Sequence, residues 1–338
     1  MAVSLKDIAK RAGVSLATVS NVVNGYRPVA EGTRLRVQQA IDELGYAPNL
    51  SARHLRSGRT GIIALAIPEL HNPYFAELAS AAMREAGTHG YTLLIDHTDA
   101  DRETELLLVG GGRERIIDGL IFSPVQLSRG DILARAGDKP LVLIGETVYG
   151  VPYDHIAIDN VAASHAAVQH LVSLGRHRIA FIGAHPDVHR EPAHLRLRGY
   201  QEALTAAGLP LDASLVATTA QFGRQDGLDG MRRLLELAQP PDAVFAYNDL
   251  MAIGAIRALH DAGLRVPGDI AVIGFDNIDE GRFAYPSLTT IAPDKDAIGR
   301  LAVRSLIARV EGKGADQACD VQPPFRLITR ESTLGRRH

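Results

Sequence analysis

The chain has 338 residues, with 36 Lys or Arg, 39 Asp or Glu and a formal net charge of −3. Its single cysteine, Cys319, excludes an intramolecular disulfide and suits a reducing compartment. No apolar segment is long enough to cross a bilayer, and Met1 leads almost directly into a predicted helix. We therefore expect a cytoplasmic protein without a signal peptide.

The charge is distributed unevenly along the chain. The first sixty residues carry nine Lys or Arg and four Asp or Glu, a net charge of +5, whereas the other 278 carry a net charge of −8. A cationic segment on an acidic chain indicates contact with a polyanion, because phosphate neutralisation dominates the affinity of proteins for nucleic acids.

The cationic segment predicts two short helices joined by a tight turn. Ser4 and Asp7 have the spacing of a capping box, Gly13 ends the first helix, and Ser15 can cap the second. One apolar face of the first helix follows the i, i+3, i+4, i+7 spacing: Leu5, Ile8, Ala9 and Ala12. A third helix ends at Gly45, with these candidate apolar positions: Leu35, Val37, Ile41 and Leu44.

The second helix is the candidate DNA reader, because its amino end is short, small and polar enough to enter a major groove. Its inward stripe is Val19, Val22 and Val23. The candidate DNA contacts are Ser15, Leu16, Ala17, Thr18, Ser20, Asn21 and Asn24. An ordinary helical hairpin is the alternative, but the local positive charge and the narrow Ala-x3-Gly-Val-Ser-x2-Thr-Val-Ser pattern both favour DNA binding.

A linker separates the two charge regimes. Pro48 and Gly58 bracket about two helical turns, a segment too short to be stable alone in water. Its composition fits a solvated linker with one incidental leucine.

From residue 61 onward, apolar runs alternate with helical stretches, which predicts parallel α/β sheets covered on both faces. The predicted strands are Gly61–Ile67, Tyr91–Asp96, Gly119–Ser123, Leu141–Gly145, Ile156–Asp159, Arg178–Gly183, Leu215–Thr219, Ala243–Tyr247 and Ile270–Phe275. About 278 residues exceed the usual size of one hydrophobic core, so we expect two lobes.

Candidate ligand contacts stand where these runs end. Acidic or amide residues at strand ends are Asp159, Asn248, Asp249 and Asp276. Such groups accept from or donate to sugar hydroxyls, and Arg196 can donate to several oxygens from one planar fork. Ligands of open α/β sheets bind beyond the carboxyl ends of the strands, which predicts a site in the cleft between lobes.

Aromatic residues could add flat apolar surface to this site: Tyr74, Phe75 and Phe222. Each candidate has an alternative role. Asp159 and Asp249 could simply cap the helices that follow them, and Tyr74 or Phe75 could be packing in the wall.

Other signals are weaker. His185, His189 and His194 lie close in sequence, but Pro186 and Pro192 break any shared helix and no thiolate is near, so we expect no metal site. The run Gly110 to Gly112 has no following Lys-Ser/Thr and predicts a break in a helix rather than a phosphate loop. No nucleophile, base and orienting group form a set, so neither an enzyme nor a cofactor is expected.

Motifs along nearly the whole chain resemble those of the lactose-repressor/galactose-repressor (LacI/GalR) family of bacterial transcription regulators. Besides the helical pattern above, they are Asn72-Pro73-Tyr74-Phe75, Asp118-Gly119-Leu120-Ile121, Ile158-Asp159-Asn160, Arg198-Gly199-Tyr200, Asn248-Asp249-x-Met251-Ala252, Arg265-Val266-Pro267, Gly274-Phe275-Asp276 and Leu288-Thr289-Thr290-Ile291. The resemblance implies a three-helix helix-turn-helix domain followed by a periplasmic-binding-protein-like core of two flavodoxin-like lobes.

The resemblance also implies domain boundaries and residue roles. The helix-turn-helix domain would cover residues 1–47, the hinge 48–60 and the core 61–338. The lobes would be 61–160 with 292–321, and 161–291 with 322–338. In the hinge, Leu55 would be the wedge at a central minor-groove base step, with Arg53 and Arg56 near phosphates. Effector contact would fall most consistently on Arg196, Asn248 and Asp276.

These observations predict a homodimeric repressor that a small carbohydrate releases from a pseudo-palindromic double-stranded operator. The same architecture answering to a purine or nucleoside, including as a corepressor, is the main alternative. A solute-binding protein of transport shares the two-lobed body, but the attached DNA reader argues against it. We expect assembly to stop at two copies, because the sequence after the core has no heptad tail.

Overall fold

The computed structural model of this chain describes residues 3–24, 27–46, 59–112, 116–135, 139–187, 191–314 and 317–335. It divides into two compact units, Met1–Gly61 and Ile62–His338. The predicted hinge of residues 48–60 lies almost entirely outside the described residues.

The first unit contains three helices: α1 (Leu5–Ala12), α2 (Leu16–Asn24) and α3 (Glu31–Leu44). They enclose a small apolar core that buries Ile8, Ala12, Val19, Val37 and Ala40. Leu35 is 59% exposed, contrary to prediction. It lies two residues before Val37 and therefore about 200° around the helix from the buried face.

Local hydrogen bonds fix the starts of the first two helices as predicted. The Asp7 carboxylate accepts from the Ser4 backbone N–H at 2.9 Å and from the Ser4 hydroxyl at 2.7 Å. The Ser15 hydroxyl oxygen accepts from the Thr18 backbone N–H at 3.1 Å. Gly13 ends α1 with a φ of 64°, a left-handed conformation that glycine adopts without steric cost.

The second unit contains two parallel-type sheets. The strands of the first are β1 (Ile62–Ile67), β2 (Thr92–His97), β3 (Gly119–Phe122), β4 (Leu141–Ile144), β5 (Asp154–Ile156) and β11 (Asp320–Val321). They pair in parallel in the order β11-β5-β4-β3-β1-β2. The second sheet has β6 (Ile179–Ala184), β7 (Val216–Thr218), β8 (Ala243–Ala246), β9 (Ala271–Phe275), β10 (Thr289–Pro293) and β12 (Phe325–Ile328). Its order is β12-β10-β9-β8-β6-β7, with only β12 antiparallel to its neighbour among the described pairs.

Helices cover both sheets, and each sheet with its helices forms one lobe. The helices are α4 (Pro73–Thr88), α5 (Arg102–Val109), α6 (Arg129–Arg135), α7 (Asn160–Ser173), α8 (Glu191–Ala206), α9 (Arg224–Leu235), α10 (Asp249–Asp261), α11 (Asp279–Phe283), α12 (Lys295–Val310) and α13 (Glu331–Leu334). Helix α5 ends at Val109, and the predicted break at Gly110 to Gly112 is a turn. No helix in the described ranges is long and apolar enough to cross a membrane.

One predicted strand is misplaced. The run Ile156–Asp159 was expected to be a strand, but β5 is Asp154–Ile156. The Asp154 carboxylate is buried inside the lobe and accepts from Arg309 at 2.7 Å. The return to the first lobe was expected at about 292, and β10 continues in the second sheet through Pro293. The chain therefore crosses at Asp294.

Helices α9 and α10 approach each other at two glycines. A Cβ atom on Gly227 would lie 2.1 Å from the Met251 carbonyl oxygen, and one on Gly254 would lie 1.9 Å from the Arg224 carbonyl oxygen. Any side chain at either position would force the helices apart. This contact fixes the residues before the two helices, Phe222 and Asn248, relative to each other.

Candidate functional site

A cavity of about 120 Å³ lies between the two lobes, at the carboxyl ends of strands from both sheets. Its wall combines a few charged groups with aromatic and aliphatic surface, as is usual for small-molecule sites. The polar and aromatic residues that line it are Glu69, Asn72, Tyr74, Phe75, Ser123, Glu146, Thr147, Arg196, Phe222, Tyr247, Asn248 and Asp276.

Arg196 projects from α8 and is 7% exposed. Its Nε donates to the Asn160 side-chain oxygen at 2.8 Å, and its Nη1 donates to the Tyr247 carbonyl oxygen at 2.6 Å. The remaining Nη2 lies 3.8 Å from Asp276 Oδ1. The guanidinium is thus anchored on one side and keeps one corner available for a ligand oxygen in the cavity.

Asp276 follows β9 directly and is 6% exposed. Burial raises the pKa of its carboxyl to about 6, against the lowering effects of Arg196 and Lys295. Its φ is 110° and that of Asn277 is 50°. Backbone of this kind costs about 1–3 kcal/mol per non-glycine residue and persists where neighbouring contacts impose it.

Hydrogen bonds hold this strained loop from several sides. The Asp276 N–H donates to the Ile291 carbonyl at 2.8 Å, and the Ile278 N–H donates to the Asp249 carboxylate at 2.9 Å. Arg330 donates to the Asn277 side-chain oxygen at 2.7 Å. Asp249 itself is fully buried and also accepts from the Thr290 hydroxyl at 2.6 Å. Its burial raises its pKa well above the ordinary value.

Two pairs of aromatic rings flank the polar groups. The rings of Phe222 and Tyr247 are stacked, with centroids 4.1 Å apart and an interplanar angle of 24°. Those of Tyr74 and Phe75 meet edge to face at 5.1 Å. Burial raises the pKa of Tyr247 to about 12, so its hydroxyl is a neutral donor and acceptor near pH 7.

The first lobe contributes a second buried carboxylate to the cavity. Glu146 follows β4, is 8% exposed and accepts from the Ile158 N–H at 3.2 Å. Burial raises the pKa of its carboxyl, opposed chiefly by Arg196. Nearby, the fully buried Glu105 accepts from the N–H groups of Val125, Gln126 and Leu127 and so holds the loop that carries Val125 into the wall.

Six of the eight ligand-contact candidates named from the sequence meet in this cavity: Tyr74, Phe75, Arg196, Phe222, Asn248 and Asp276. Asn248 does so while capping α10, since it accepts from the Met251 N–H at 2.8 Å and donates to the Phe222 carbonyl at 2.9 Å. Asp159 does not line the cavity. It is exposed and caps α7 through the Ala162 N–H at 2.9 Å, the alternative role considered for it. Asp249 is not a cap but a buried support for the loop.

Six of the polar and aromatic wall residues were not selected from the sequence: Glu69, Asn72, Ser123, Glu146, Thr147 and Tyr247. Among these are an acidic and an aromatic residue at the ends of predicted strands. Glu146 follows the predicted run Leu141–Gly145, and Tyr247 closes the run Ala243–Tyr247. The rule that ligands bind at the carboxyl ends of strands would have selected both.

The DNA-reader candidates occupy the exposed start of α2. Leu16 is 45% exposed and Ala17 is also exposed, whereas Ser20 and Asn21 are half-buried. Ser15 and Thr18 hold each other through their hydroxyls at 2.8 Å. Asn24 ends the helix, and its side chain lies outside the described residues, as do Arg53, Leu55 and Arg56 of the hinge.

The histidine cluster offers no assembled metal site within the described ranges, where no group of three or more His, Cys, Asp or Glu comes together. His194 bonds the Asp187 carbonyl at 2.9 Å, and the His185 ring lies 5.5 Å from that of Phe222. His189 lies outside the described residues.

The cavity has fixed donors, acceptors and stacked rings, an arrangement suited to binding a polar ligand. Together with the helical unit at the amino end, this two-lobed body defines the class of ligand-responsive transcription regulators. Two family models match: bacterial regulatory proteins, lacI family, over residues 4–49, and periplasmic binding protein-like domain over residues 168–333.

Relatives that match over nearly the full length of the chain are transcription regulators too. The chain is 34% identical over 337 residues to the HTH-type transcriptional regulator DegA of Bacillus subtilis (strain 168), covering 98% of both proteins. It is 37% identical over 310 residues to the ribose operon repressor of Escherichia coli (strain K12), covering 91% of this chain and 93% of that protein. The chain belongs to the lacI family of bacterial regulatory proteins.

Solved structures match the fold over almost the whole chain. The transcriptional regulator CelR in complex with cellobiose has a TM-score of 0.72 at 32% identity, covering 98% of this chain and 99% of that one. The lac repressor dimer bound to operator and the anti-inducer ONPF has a TM-score of 0.75 at 28% identity with the same coverage.

Proposed function

We propose that this chain is a homodimeric repressor that leaves a pseudo-palindromic operator when a small neutral carbohydrate binds between its lobes. The observation that carries the proposal is the arrangement of Arg196 and Asp276 in one enclosed cavity, beside the stacked rings of Phe222 and Tyr247. A planar donor and a carboxylate acceptor match adjacent hydroxyls, and a flat ring matches the apolar face of a sugar.

The charges of the wall favour a neutral ligand. Glu69, Glu146 and Asp276 line the cavity, whereas Arg196 is the only Lys or Arg among the described residues that do so. A phosphorylated sugar or a nucleotide would bring further negative charge beside these carboxylates in a poorly solvated site. Unphosphorylated ligands are therefore expected to bind better than their phosphates.

A purine or nucleoside is the second candidate, and the stacked Phe222 and Tyr247 pair is the observation that favours it, since a nucleobase can extend the stack. Against it, each buried acceptor of the wall suits a hydroxyl donor. The relatives' names leave the ligand of this chain open, with a cellobiose complex and a ribose operon repressor among them.

The DNA side of the proposal rests on α2 and the hinge. Leu16, Ala17 and Asn21 would contact base edges in the major groove, and Leu55 would enter a central minor-groove step. The ligand would favour a lobe arrangement in which the two hinge segments of the dimer no longer meet, since a short helix is marginal alone. We infer that this regulation, rather than catalysis, takes place in the cytoplasm.

Thermal-shift measurements on the full chain test the ligand class. The panel comprises D-ribose, D-xylulose, D-glucose, cellobiose, D-ribose 5-phosphate, adenosine and hypoxanthine. A ligand at 100 times its dissociation constant adds about 2.7 kcal/mol to stability. A neutral sugar should raise the melting temperature of the wild type but not of Asp276→Ala. Stabilisation by adenosine or hypoxanthine alone would reverse the assignment.

Operator affinity, measured with and without the stabilising ligand, tests the direction of coupling. We expect the sugar to weaken operator binding, and by reciprocity the operator to weaken sugar binding by the same factor. Tighter operator binding with ligand would make the protein a corepressor-dependent regulator.

A further inference from the structure

Lys295 stands at the point where the chain enters the first lobe for the second time. It is the first residue of α12, directly after the crossing at Asp294, and its side chain is 11% exposed. Its Nζ lies 2.6 Å from the Asp276 carbonyl oxygen, 2.9 Å from the Asn277 carbonyl oxygen and 2.7 Å from Glu77 Oε2.

These three contacts use every donor that a lysine ammonium has. Two acceptors belong to the strained loop after β9 in the second lobe, and the third belongs to α4 in the first lobe. A nearly buried ammonium with all three hydrogens committed is costly to displace, because each lost contact leaves a desolvated charge.

Lys295 lies behind the cavity wall, next to a wall residue from each lobe. Asp276 presents its carboxylate to the cavity while Lys295 holds its carbonyl. Tyr74, a wall residue one turn before Glu77 on α4, has its ring centroid 5.9 Å from the lysine Nζ. A shift of the Asp276 loop therefore pulls on α4 through one side chain.

We propose that Lys295 is a positioning residue that fixes the effector carboxylate Asp276 and, through Glu77, couples its position to helix α4 of the other lobe. The inference rests on the proposed function, in which a ligand at Asp276 changes the arrangement of the lobes. Lys295 would then have two roles that can be tested separately. Its contacts with the Asp276 loop set the affinity for the ligand, and its contact with Glu77 passes the effect of ligand binding to α4.

Two variants separate these roles. Lys295→Met keeps roughly the length of the side chain and removes all three contacts. We therefore expect the dissociation constant for the panel sugar that binds the wild type, such as D-ribose, to rise at least tenfold. Glu77→Gln leaves the loop contacts in place, so sugar affinity should stay within about threefold. The factor by which that sugar changes operator affinity should fall about fivefold or more.

The matched control is Lys139→Met, because Lys139 also donates to a backbone carbonyl, that of Ile117 at 3.1 Å, but lies away from the cavity. It should bind sugar and operator as the wild type does. If Lys295→Met does not fold by circular dichroism, Lys295→Arg replaces it, since a planar fork keeps the charge but cannot meet all three acceptors.

A ligand-free readout keeps the inference separate from the proposed function. The pKa of Asp276 can be measured by carbon-13 NMR of protein labelled at Asp, with Asp276→Asn used to assign the signal. We expect a pKa of about 6 in the wild type. The pKa should rise in Lys295→Met, because the Lys295 charge lowers it. Glu77→Gln should leave it unchanged.

If the wild type binds no panel sugar, the proposed function fails, and this titration alone decides the positioning role. The inference would be overturned by any one of three results. Lys295→Met could bind sugar as tightly as the wild type, or its Asp276 pKa could fail to rise. In Glu77→Gln, the sugar could change operator affinity by the same factor as in the wild type.

Discussion

The guanidinium of Arg196 lies over the ring of Phe275, with Cζ 3.6 Å from the ring centroid. Phe275 is fully buried and ends β9, and the next residue is Asp276. The cation and the carboxylate that line the cavity are thus both positioned by the end of β9. A ligand meets a pair whose geometry is already set, which reduces the ordering cost of binding.

Arg196→Lys should therefore be a severe change despite preserving the charge. An ammonium cannot stack on Phe275 and also donate to both Asn160 and the Tyr247 carbonyl. We expect binding of the panel sugar to weaken at least tenfold, on the order of 1.4 kcal/mol, by isothermal titration calorimetry. Arg198→Lys on the same helix, with a side chain 59% exposed, is the control. Equal affinities in the two variants would contradict the assignment.

Asp276→Asn should stabilise the unliganded protein at neutral pH. The folded pKa of about 6 exceeds the ordinary 3.8, so between these values the folded state holds more protons and the free energy of unfolding falls as pH rises. The ionised wild type should be less stable than the variant by on the order of 2–3 kcal/mol at pH 8. The difference should vanish as pH falls through about 6 towards 4.

Urea denaturation of Asp276→Asn and wild type at pH 8 and pH 4 measures this difference. Asp279→Asn, at an exposed position three residues on, is the control and should show little change at either pH. A pH-independent difference for Asp276→Asn would mean that its carboxyl is not the titrating group.

If Leu55 is the minor-groove wedge, Leu55→Ala should weaken binding to a selected operator at least tenfold, about 1.4 kcal/mol, because the wedge would offset the cost of unstacking a base step. Gel-shift titration on the selected operator measures this, with a scrambled duplex as the control. Affinity for the scrambled duplex should not change, since phosphate contacts dominate it. An unaltered operator affinity would remove the wedge role.

Asn21→Arg should move the preferred half-site towards G·C at one base pair, because Asn pairs best with adenine and Arg with guanine. Selection from a randomised operator library, followed by sequencing, compares the two consensus sites. Gln39→Ala, at an exposed position of α3 outside the candidate DNA contacts, is the control and should keep the wild-type consensus. The same consensus for wild type and Asn21→Arg would show that Asn21 does not read a base.

Short-range signals predicted the amino-terminal helices, because the deciding atoms lie within a few residues of each other. Ser4 with Asp7, and Ser15 with Thr18, are examples. Eight of the nine predicted apolar runs coincide with a strand, since a strand buried on both faces needs continuous apolar sequence. The ninth, Ile156–Asp159, shares only Ile156 with β5. Three strands, β10, β11 and β12, were not predicted. Asp320–Val321 and Phe325–Ile328 are only partly buried and carry no such run. Thr289–Pro293 is largely buried, but two threonines begin it and a proline ends it, so the apolar run is short.

The candidate site was predictable where strand ends supply it and not where the chain returns from afar. Arg196, Asn248 and Asp276 follow from motif and strand position. Lys295 reaches the Asp276 loop from 19 residues further along the chain, after the second crossing. Only the three-dimensional path of the chain brings that ammonium to the loop, so no local pattern in the sequence indicates it.

The glycine contact between α9 and α10 limits how the ligand preference of this protein can be redesigned. Since Gly227 and Gly254 admit no Cβ, substitutions at these two positions would separate the helices and displace the wall residues ahead of them. New selectivity is better sought in the side chains of Phe222 and Asn248, where the Asn248 amide donates to the Phe222 carbonyl oxygen. A mutant library that varies these two positions jointly and keeps both glycines would explore ligand shapes that single substitutions miss.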